Sequence, residues 1–118
     1  MGKKSVLIVD DRFASRKGMK ALLATEAEIK IAGEAVDGRQ AVRLVGEVKP
    51  AVVLMDARMP GMDGLEATRI IKDRWPQVKV IVLSMYPGYQ ADALAAGADA
   101  FLVKGCPVDK LLEAILNL

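Results

Sequence analysis

Five short aliphatic runs alternate along the chain with longer segments in which apolar residues recur at helical spacing. The runs cover residues 5–9, 29–35, 51–55, 79–83 and 101–103. The first run is apolar on both faces, which is typical of a strand buried in a parallel sheet. Strands that alternate with helices pack as one parallel sheet between two helix layers, joined by right-handed crossovers. The sequence therefore predicts an α/β domain of five strand–helix units.

Cap and breaker residues delimit the helices between these runs. Helices are predicted over residues 12–24, 65–75, 90–96 and 108–116, and one more between Asp37 and Pro50. Asp37 is a favourable N-cap, and a helix ends before a proline such as Pro50. The fourth helix ends at Gly97. It is predicted to be short because Pro87 and Gly88, just before it, disfavour helix.

Composition excludes several classes of function. The chain has 118 residues, the length of one domain, and its hydrophobic content of 53% is too high for a disordered chain. A net charge of +2 is too weak to argue for nucleic-acid binding. The absence of histidine excludes Ser-His-Asp catalysis, histidine-ligated zinc and a phosphohistidine donor within this chain. The single cysteine, Cys106, excludes an internal disulfide.

Neither a targeting signal nor a membrane span is predicted. The apolar run of residues 6–9 stops at two aspartates, whereas a secretory signal needs roughly 7–15 apolar residues and a spanning helix needs about 20. The use of one cysteine also fits a reducing compartment. We therefore expect a cytoplasmic protein that contacts no membrane.

Polar side chains follow four of the five aliphatic runs. Asp10 and Asp11 follow the first run, Asp56 the third, Ser84 the fourth and Lys104 the fifth. Ligands of parallel α/β sheets bind outside the carboxyl ends of the strands, so these side chains form the candidate site. Ionised carboxylates about 4 Å apart repel by roughly 4 kcal/mol at an effective dielectric of 20. A divalent cation with oxygen ligands, or the lysine, would offset that repulsion. An acidic patch without function is the alternative.

The motifs around these residues resemble the receiver domain of bacterial two-component response regulators, most closely the NarL/LuxR type. The matching segments are VLIVDD (6–11), GMKALL (18–23), GEAVDGRQA (33–41), VVLMDARMPGMDGL (52–65), IVLS (81–84) and GADAFLVK (97–104). The resemblance covers essentially the whole chain. It implies a single receiver domain over residues 1–118 and a flavodoxin-like, CheY-like doubly wound fold. The sheet of that fold has five parallel strands in the order 2-1-3-4-5.

The resemblance also implies a phosphorylation site with a metal ion. Asp56 would be the phosphoacceptor, whose carboxylate attacks the phosphoryl group of a phosphohistidine on a partner kinase. Asp11, Asp56 and the backbone carbonyl of Arg58 would hold Mg²⁺ (or Mn²⁺). Asp10 would act mainly through a metal-bound water. The metal would neutralise charge on the phosphoryl group during transfer.

Further roles follow from the same resemblance. Lys104 and the Ser84 hydroxyl would each bind a phosphoryl oxygen, and Phe101 would change rotamer as the loop after the fourth strand moves inward. The alternatives are a strand-end cap at Ser84 and an ordinary core aromatic at Phe101. Arg58 and Tyr86 lie two residues after the acceptor and the switch serine, respectively. We expect both to restrict attacking water and to slow loss of the phosphoryl group.

Two segments depart from the family pattern. The stretch between Ser84 and Lys104 is shorter than usual, and the difference falls in residues 85–90, at the start of the fourth helix. The surface of helix 4, strand 5 and helix 5 usually reports phosphorylation, so this output surface is expected to be remodelled. Residues 13–15 replace the usual apolar stretch at the start of the first helix. That face commonly meets the kinase, so partner choice is expected to differ.

The function implied is that of a phosphoacceptor module, not of a turnover enzyme: it accepts a phosphoryl group and slowly hydrolyses its own aspartyl phosphate. Its partners would be a sensor histidine kinase or a phosphotransfer protein, and either its own effector domain or a protein target. A helix-turn-helix effector controlling transcription is expected outside this chain, with no direct nucleic-acid contact by residues 1–118. Phosphorylation-dependent homodimers are also expected.

Other readings of the fold fit the residues less well. A free-standing receiver remains open, whereas a pseudo-receiver that only binds partners is disfavoured by the intact acidic set with Lys104. A flavodoxin is disfavoured because Asp10 and Asp11 would repel the phosphate of its cofactor. A phosphatase of the haloacid-dehalogenase type needs Asp-x-Asp after the first strand, but Arg12 stands at the second of those positions.

Overall fold

The sheet predicted from the aliphatic runs is present in the computed structural model, which describes residues 2–118. Its strands are β1 (Lys4–Val9), β2 (Ile29–Ala35), β3 (Val52–Asp56), β4 (Lys79–Ser84) and β5 (Ala100–Val103). All neighbouring strands pair in parallel, in the order β2-β1-β3-β4-β5. The predicted α/β class and strand order are confirmed.

Five helices connect these strands or follow the last of them. They are α1 (Phe13–Ala24), α2 (Gly38–Val48), α3 (Gly64–Arg74), α4 (Gln90–Ala95) and α5 (Val108–Asn117). Every predicted strand and helix is present, with ends shifted by no more than one residue. The prediction of a short fourth helix is confirmed: α4 has six residues and is preceded by a 3₁₀ turn, Pro87–Tyr89. Proline is favourable at the start of such a turn because its fixed φ suits the first helical position.

The helices cover both faces of the sheet, and each face has its own apolar cluster. The cluster under α2, α3 and α4 includes Leu7, Val45, Val53, Ile71, Val80 and Ala93. The cluster under α1 and α5 includes Ile8, Leu23, Leu54, Ile81, Leu111 and Ile115. Burial of each large aliphatic side chain contributes about 1.5–3 kcal/mol, so both layers are held by aliphatic packing, as the low aromatic content requires.

The change of face between consecutive connections positions the site. The chain leaves β1 through α1, on one face, and leaves β2 through α2, on the other. The carboxyl ends of β1 and β3 therefore border the switch point, where ligands of such sheets bind. Backbone hydrogen bonds extend the ladder past the strand ends: the Asp10 amide donates to Ala35 at 3.1 Å and the Ala57 amide to Leu83 at 2.9 Å. The loops that carry the polar residues are thus anchored to the sheet.

Gly64, at the start of α3, packs directly against the end of β3. Its amide donates to the Ala57 carbonyl at 3.0 Å, and a Cβ added here would overlap the carbonyl oxygen of Asp56. We expect Gly64→Ala to lower the free energy of unfolding by about 1–3 kcal/mol, because the backbone must move to relieve the overlap. Urea denaturation measures the change.

Gly18, inside α1, is the control for this substitution. A Cβ added there meets nothing within 4 Å, so Gly18→Ala is expected to stabilise the domain by about 0.5–1 kcal/mol through helix propensity. Equal effects of the two substitutions would show that the close approach of Gly64 to Asp56 does not constrain the fold.

Candidate functional site

Three carboxylates meet at the carboxyl edge of the sheet. Asp10 and Asp11 lie in the loop after β1, and Asp56 is the last residue of β3. One carboxylate oxygen from each lies within 4.8 Å of the others. Asp10 and Asp56 are buried, with 6% and 8% of their surface exposed, whereas Asp11 is exposed. The structure therefore brings together the acidic residues predicted from the strand ends.

Lys104 lies between two of these carboxylates. Its Nζ is 3.1 Å from Oδ2 of Asp10 and 3.3 Å from Oδ1 of Asp56. Its backbone amide donates to the Ser84 carbonyl at 2.8 Å, which ties the end of β5 to the end of β4. The side chain is thus held at the sheet edge, where one positive charge faces two buried negative charges.

Asp10 is held by more donors than the sequence predicted. The Arg12 amide donates to its Oδ1 at 2.9 Å, and the Ser15 hydroxyl donates to its Oδ2 at 2.5 Å. Burial by itself raises the pKa of Asp10. The hydrogen bonds from Ser15, the Arg12 amide and Lys104 outweigh burial, so the pKa lies below its ordinary value. Asp10 is therefore an anion over the whole neutral range.

Ser15 is a site residue that sequence reasoning missed. Residues 13–15 are predicted to alter partner choice, and Ser15 among them also has a second contact: it lies in the first turn of α1 with its hydroxyl on Asp10. The signal that could have identified it is Ser15 itself, a small polar residue in a stretch that is usually apolar in the family. A polar side chain that packs toward the protein interior generally has a hydrogen-bond partner there.

Asp56 has the opposite balance of forces. Burial raises its pKa; the charges of Asp10 and Asp11 raise it further, and attraction to Lys104 opposes them without cancelling them. The pKa of Asp56 therefore lies above its ordinary value. At a given pH the ionised form is therefore less populated at Asp56 than at an ordinary aspartate.

We expect Asp56→Asn to raise the melting temperature of the domain by a few degrees at neutral pH without divalent cations. An acid whose pKa is raised by folding stabilises the fold only while protonated. That contribution is complete below the unfolded pKa and is lost as pH rises through the folded pKa. The asparagine of the variant never ionises and so avoids this loss. The difference in melting temperature between Asp56→Asn and the native chain should therefore disappear below about pH 4, where Asp56 is protonated in both the folded and the unfolded state.

Calorimetry across pH tests this expectation, with Asp73→Asn as the control. Asp73 is exposed on α3, so the same loss of charge there should leave the melting temperature nearly unchanged. A neutral-pH melting temperature of Asp56→Asn below that of the native chain would contradict the charge balance described for Asp56.

A cavity of about 120 Å³ opens beside Asp56, and Ser84, Lys104, Arg58 and Tyr86 are among its lining residues. Ser84 is buried, and its Oγ accepts the Tyr86 amide at 3.0 Å. In this arrangement Ser84 caps the end of β4, which is the alternative to phosphoryl binding that the sequence left open. The same side chain also borders the cavity. The volume suits a small polar group next to the Asp56 carboxylate.

Phe101 lies on β5, opposite Val82 of β4. It is partly buried and packs against the apolar cluster under α2, α3 and α4. This is the position of a core aromatic at the edge of the sheet. The change of rotamer expected for Phe101 when the loop after β4 moves inward remains a prediction.

Arg58 and Tyr86 are both exposed at the mouth of the cavity. The Arg58 guanidinium donates a hydrogen bond to the hydroxyl of Tyr89, and its central carbon lies 5.7 Å from the centre of the Tyr89 ring. The rings of Tyr86 and Tyr89 meet edge to face, 6.3 Å apart. Tyr89 is a second residue that sequence reasoning missed, because a tyrosine in a loop carries no signal of which side chain it will contact.

The donor set fits a hard divalent cation. Mg²⁺ is bound by oxygen ligands, usually one or two carboxylates with waters completing its octahedron. Three carboxylates within 4.8 Å of one another meet that requirement with room for water. Burial first, and then the charges of Asp10 and Asp11, raise the pKa of Asp56, and a cation bound among the three carboxylates would oppose that rise. Asp10, Asp11 and Asp56 are therefore suited to hold Mg²⁺ or Mn²⁺.

None of the helices described over residues 2–118 is long and apolar enough to cross a membrane.

Comparison with known proteins gives one consistent family. A family model described as the response regulator receiver domain matches residues 6–116. The transcriptional regulatory protein DegU of Brevibacillus brevis is 41% identical over 115 residues, which are 96% of this chain and 49% of that protein. The chain spans about half the length of the curated relatives that it matches.

Solved structures agree with the sequence matches. The signal receiver domain of a response regulator NarL from Mycobacterium tuberculosis is 31% identical, with a TM-score of 0.93 over 99% of this chain and 96% of that chain. A DNA-binding response regulator of the LuxR family from Staphylococcus aureus is also 31% identical. Its TM-score is 0.89, over 97% of both chains.

Proposed function

Because the chain belongs to the response regulator receiver domain family, we propose that it is the phosphoacceptor module of a two-component system. Its similarity to NarL- and LuxR-type regulators confirms the resemblance predicted from the strand-end motifs. Asp56 would accept the phosphoryl group from a sensor histidine kinase or a phosphotransfer protein. The observation that carries this proposal is the position of the buried Asp56 carboxylate. It borders a small cavity, and its Oδ1 lies 3.3 Å from Lys104 Nζ.

Transfer would begin with attack by a carboxylate oxygen of Asp56 on the phosphorus of the donor. A bond from phosphorus to Asp56 forms while the bond from phosphorus to the donor nitrogen breaks, and the nitrogen keeps the electron pair. Lys104 is placed to pair with a phosphoryl oxygen, and Ser84 to offer its hydroxyl to another. Because phosphoryl transfer depends on positioning and charge neutralisation, these contacts supply most of what the protein must provide.

A divalent cation, Mg²⁺ or Mn²⁺, would supply charge neutralisation when bound at this site. Asp11, Asp56 and the backbone carbonyl of Arg58 would hold it directly, and Asp10 through a water. The low pKa of Asp10 keeps that carboxylate ionised, and the exposure of Asp11 leaves it accessible to a hydrated ion.

Phosphorylation would change the surface around α4. The Ser84 hydroxyl now accepts the Tyr86 amide, and turning toward a phosphoryl oxygen would break that bond and draw the loop after β4 inward. Phe101, at the edge of the sheet, would fill the space that the loop leaves. The output surface would then be formed by α4, β5 and α5, with the short α4 altering its shape.

Transcriptional output is proposed from the relatives. DegU is a transcriptional regulatory protein, and the Staphylococcus aureus protein is a DNA-binding response regulator. An effector domain of that kind would lie outside residues 1–118, with phosphorylation controlling it directly or through a homodimer. The receiver itself would accept one phosphoryl group and lose it slowly by hydrolysis, so it would not turn over a substrate.

Labelling with a small phosphodonor tests the proposal. The native chain, Asp56→Asn and Asp73→Asn are incubated with phosphoramidate, with and without Mg²⁺, and their intact masses are compared. We expect the native chain and the exposed-site control Asp73→Asn to gain one phosphoryl group in the presence of Mg²⁺, and Asp56→Asn to gain none. Failure of the native chain to be labelled would favour a pseudo-receiver that only binds partners.

A further inference from the structure

Tyr89 joins two loops that border the acceptor cavity. Arg58 lies in the loop after β3, two residues beyond Asp56, and Tyr89 lies in the 3₁₀ turn after β4. The Arg58 guanidinium donates a hydrogen bond to the Tyr89 hydroxyl and lies 5.7 Å from the centre of the ring. A planar guanidinium hydrogen-bonded to the hydroxyl of a partly buried tyrosine has fewer positions available to it than a free one.

The same ring also contacts the other rim residue. Tyr86 meets Tyr89 edge to face, with the ring centres 6.3 Å apart and the planes at 66°. Edge-to-face packing is a favoured arrangement of aromatic pairs. The backbone supports it, because the Tyr89 amide donates to the Tyr86 carbonyl at 3.2 Å. One side chain thus contacts both rim residues, from two different loops.

Tyr89 is better anchored than its surroundings. Residues 85–88 are exposed, whereas Tyr89 is half-buried. Arg58 is exposed and has a long side chain that would sample many rotamers without a partner. The contact with Tyr89 therefore favours positions of the guanidinium near the Tyr89 hydroxyl.

Tyr89 does not itself reach the acceptor. Among residues 2–118, the lining of the acceptor cavity includes Arg58 and Tyr86 but not Tyr89. A second cavity, which shares Arg58 and Tyr86 with the first, is lined also by Tyr89 and Asp92. Any effect of Tyr89 on the chemistry must therefore pass through Arg58 and Tyr86.

We propose that Tyr89 is a positioning residue that holds Arg58 and Tyr86 across the mouth of the acceptor cavity, and so limits access to the aspartyl phosphate. This inference rests on the proposed function of Asp56. In hydrolysis, a water oxygen bonds to phosphorus, the bond from phosphorus to the Asp56 oxygen breaks, and the carboxylate and inorganic phosphate are released. A rim held in place slows the approach of that water and of large donors.

The test compares the native chain with Tyr89→Phe, which keeps the ring on Tyr86 but removes the hydroxyl from Arg58. After labelling with phosphoramidate and removal of the donor, the phosphoryl half-life is followed by intact mass. We expect Tyr89→Phe to shorten it about two- to fivefold, because a single exposed hydrogen bond restrains a side chain only modestly. In an Arg58→Ala background the Tyr89 hydroxyl has no guanidinium to bind, so Tyr89→Phe should leave the phosphoryl half-life unchanged.

The size of the phosphodonor distinguishes two explanations for a shorter half-life: a wider cavity mouth, or a general increase in the mobility of the loop after β4. The ratio of labelling rates with phosphoimidazole and with the smaller phosphoramidate should rise in Tyr89→Phe, since the opened mouth favours the larger donor. Loosening that acts on the acceptor itself would change both rates alike. Melting temperatures of all variants should stay within about 2 °C, as expected for surface substitutions.

Three results would overturn the inference: an unchanged or longer half-life in Tyr89→Phe, an equal shortening in the Arg58→Ala background, or an unchanged donor ratio. Each of them presupposes that Asp56 is labelled. Absence of labelling in the native chain would instead contradict the proposed function, so the two failures are distinguishable.

Discussion

Replacing Lys104 with glutamine is expected to slow phosphoryl transfer to Asp56 about 100- to 1,000-fold, the usual effect of removing one preorganised charge from such a site. Lys104 Nζ lies 3.1 Å from Asp10 and 3.3 Å from Asp56. In the proposed transfer, its charge would lie next to the phosphoryl group on Asp56. Glutamine keeps the length of the chain and a donor but removes the charge.

The same substitution has a second consequence for Asp56. Attraction to Lys104 is the main force that opposes the rise in the pKa of Asp56 caused by burial and by Asp10. Without the lysine, the pKa of Asp56 should rise further, and the pH at which labelling falls to half should move upward with it. The reaction is therefore measured as a pH–rate profile with phosphoramidate and saturating Mg²⁺.

Lys110→Gln is the matched control, because Lys110 is exposed on α5. It should leave both the rate and the pH profile as they are in the native chain. A loss of rate in Lys104→Gln no larger than that in Lys110→Gln would show that the lysine between the carboxylates is only a structural ion pair.

Asp11→Asn is expected to raise the dissociation constant for Mg²⁺ about 10- to 100-fold, a loss typical even of residues that only support a metal ligand. Asp11 is the exposed member of the carboxylate cluster. Its removal should therefore disturb packing little. It should also relieve part of the repulsion on Asp56, so the variant without metal should fold at least as stably as the native chain.

Thermal unfolding with increasing Mg²⁺ measures this binding without relying on phosphorylation. A cation that binds only the folded state stabilises it by about 2.7 kcal/mol at 100 times its dissociation constant. The curve for Asp11→Asn should move to higher Mg²⁺ concentrations. Asp109→Asn, exposed on α5, should follow the native curve, and a native-like curve for Asp11→Asn would exclude Asp11 as a ligand.

The edge of the sheet on which the acidic residues lie could be predicted from the sequence, because the alternation of strands and helices determines it. Each of Asp10, Asp11 and Asp56 follows or ends an aliphatic run, and parallel strands bring such residues to one edge. Lys104 and Ser84 were found in the same way. The strand order came from the resemblance to receiver domains, since alternation of strands and helices fits more than one order.

The contacts made by Ser15 and Tyr89 could not be predicted in this way. Each depends on the direction of a side chain across two elements: from α1 back to the loop after β1, and from the turn after β4 to the loop after β3. Sequence spacing reports which residues share one element, and it carries no information about rotamers at a junction. The short α4 was different: it could be predicted because Pro87 and Gly88 disfavour helix locally, through the backbone.

Chemical trapping of the acyl phosphate identifies which carboxylate accepts the phosphoryl group. The native chain is labelled with phosphoramidate and Mg²⁺, reduced with borohydride, digested, and sequenced by mass spectrometry. Borohydride converts an aspartyl phosphate to homoserine and leaves a free carboxylate unchanged. We expect homoserine at position 56 and aspartate at positions 10 and 11. Homoserine at another position, or intact aspartate at position 56 in the labelled protein, would contradict the proposed role of Asp56.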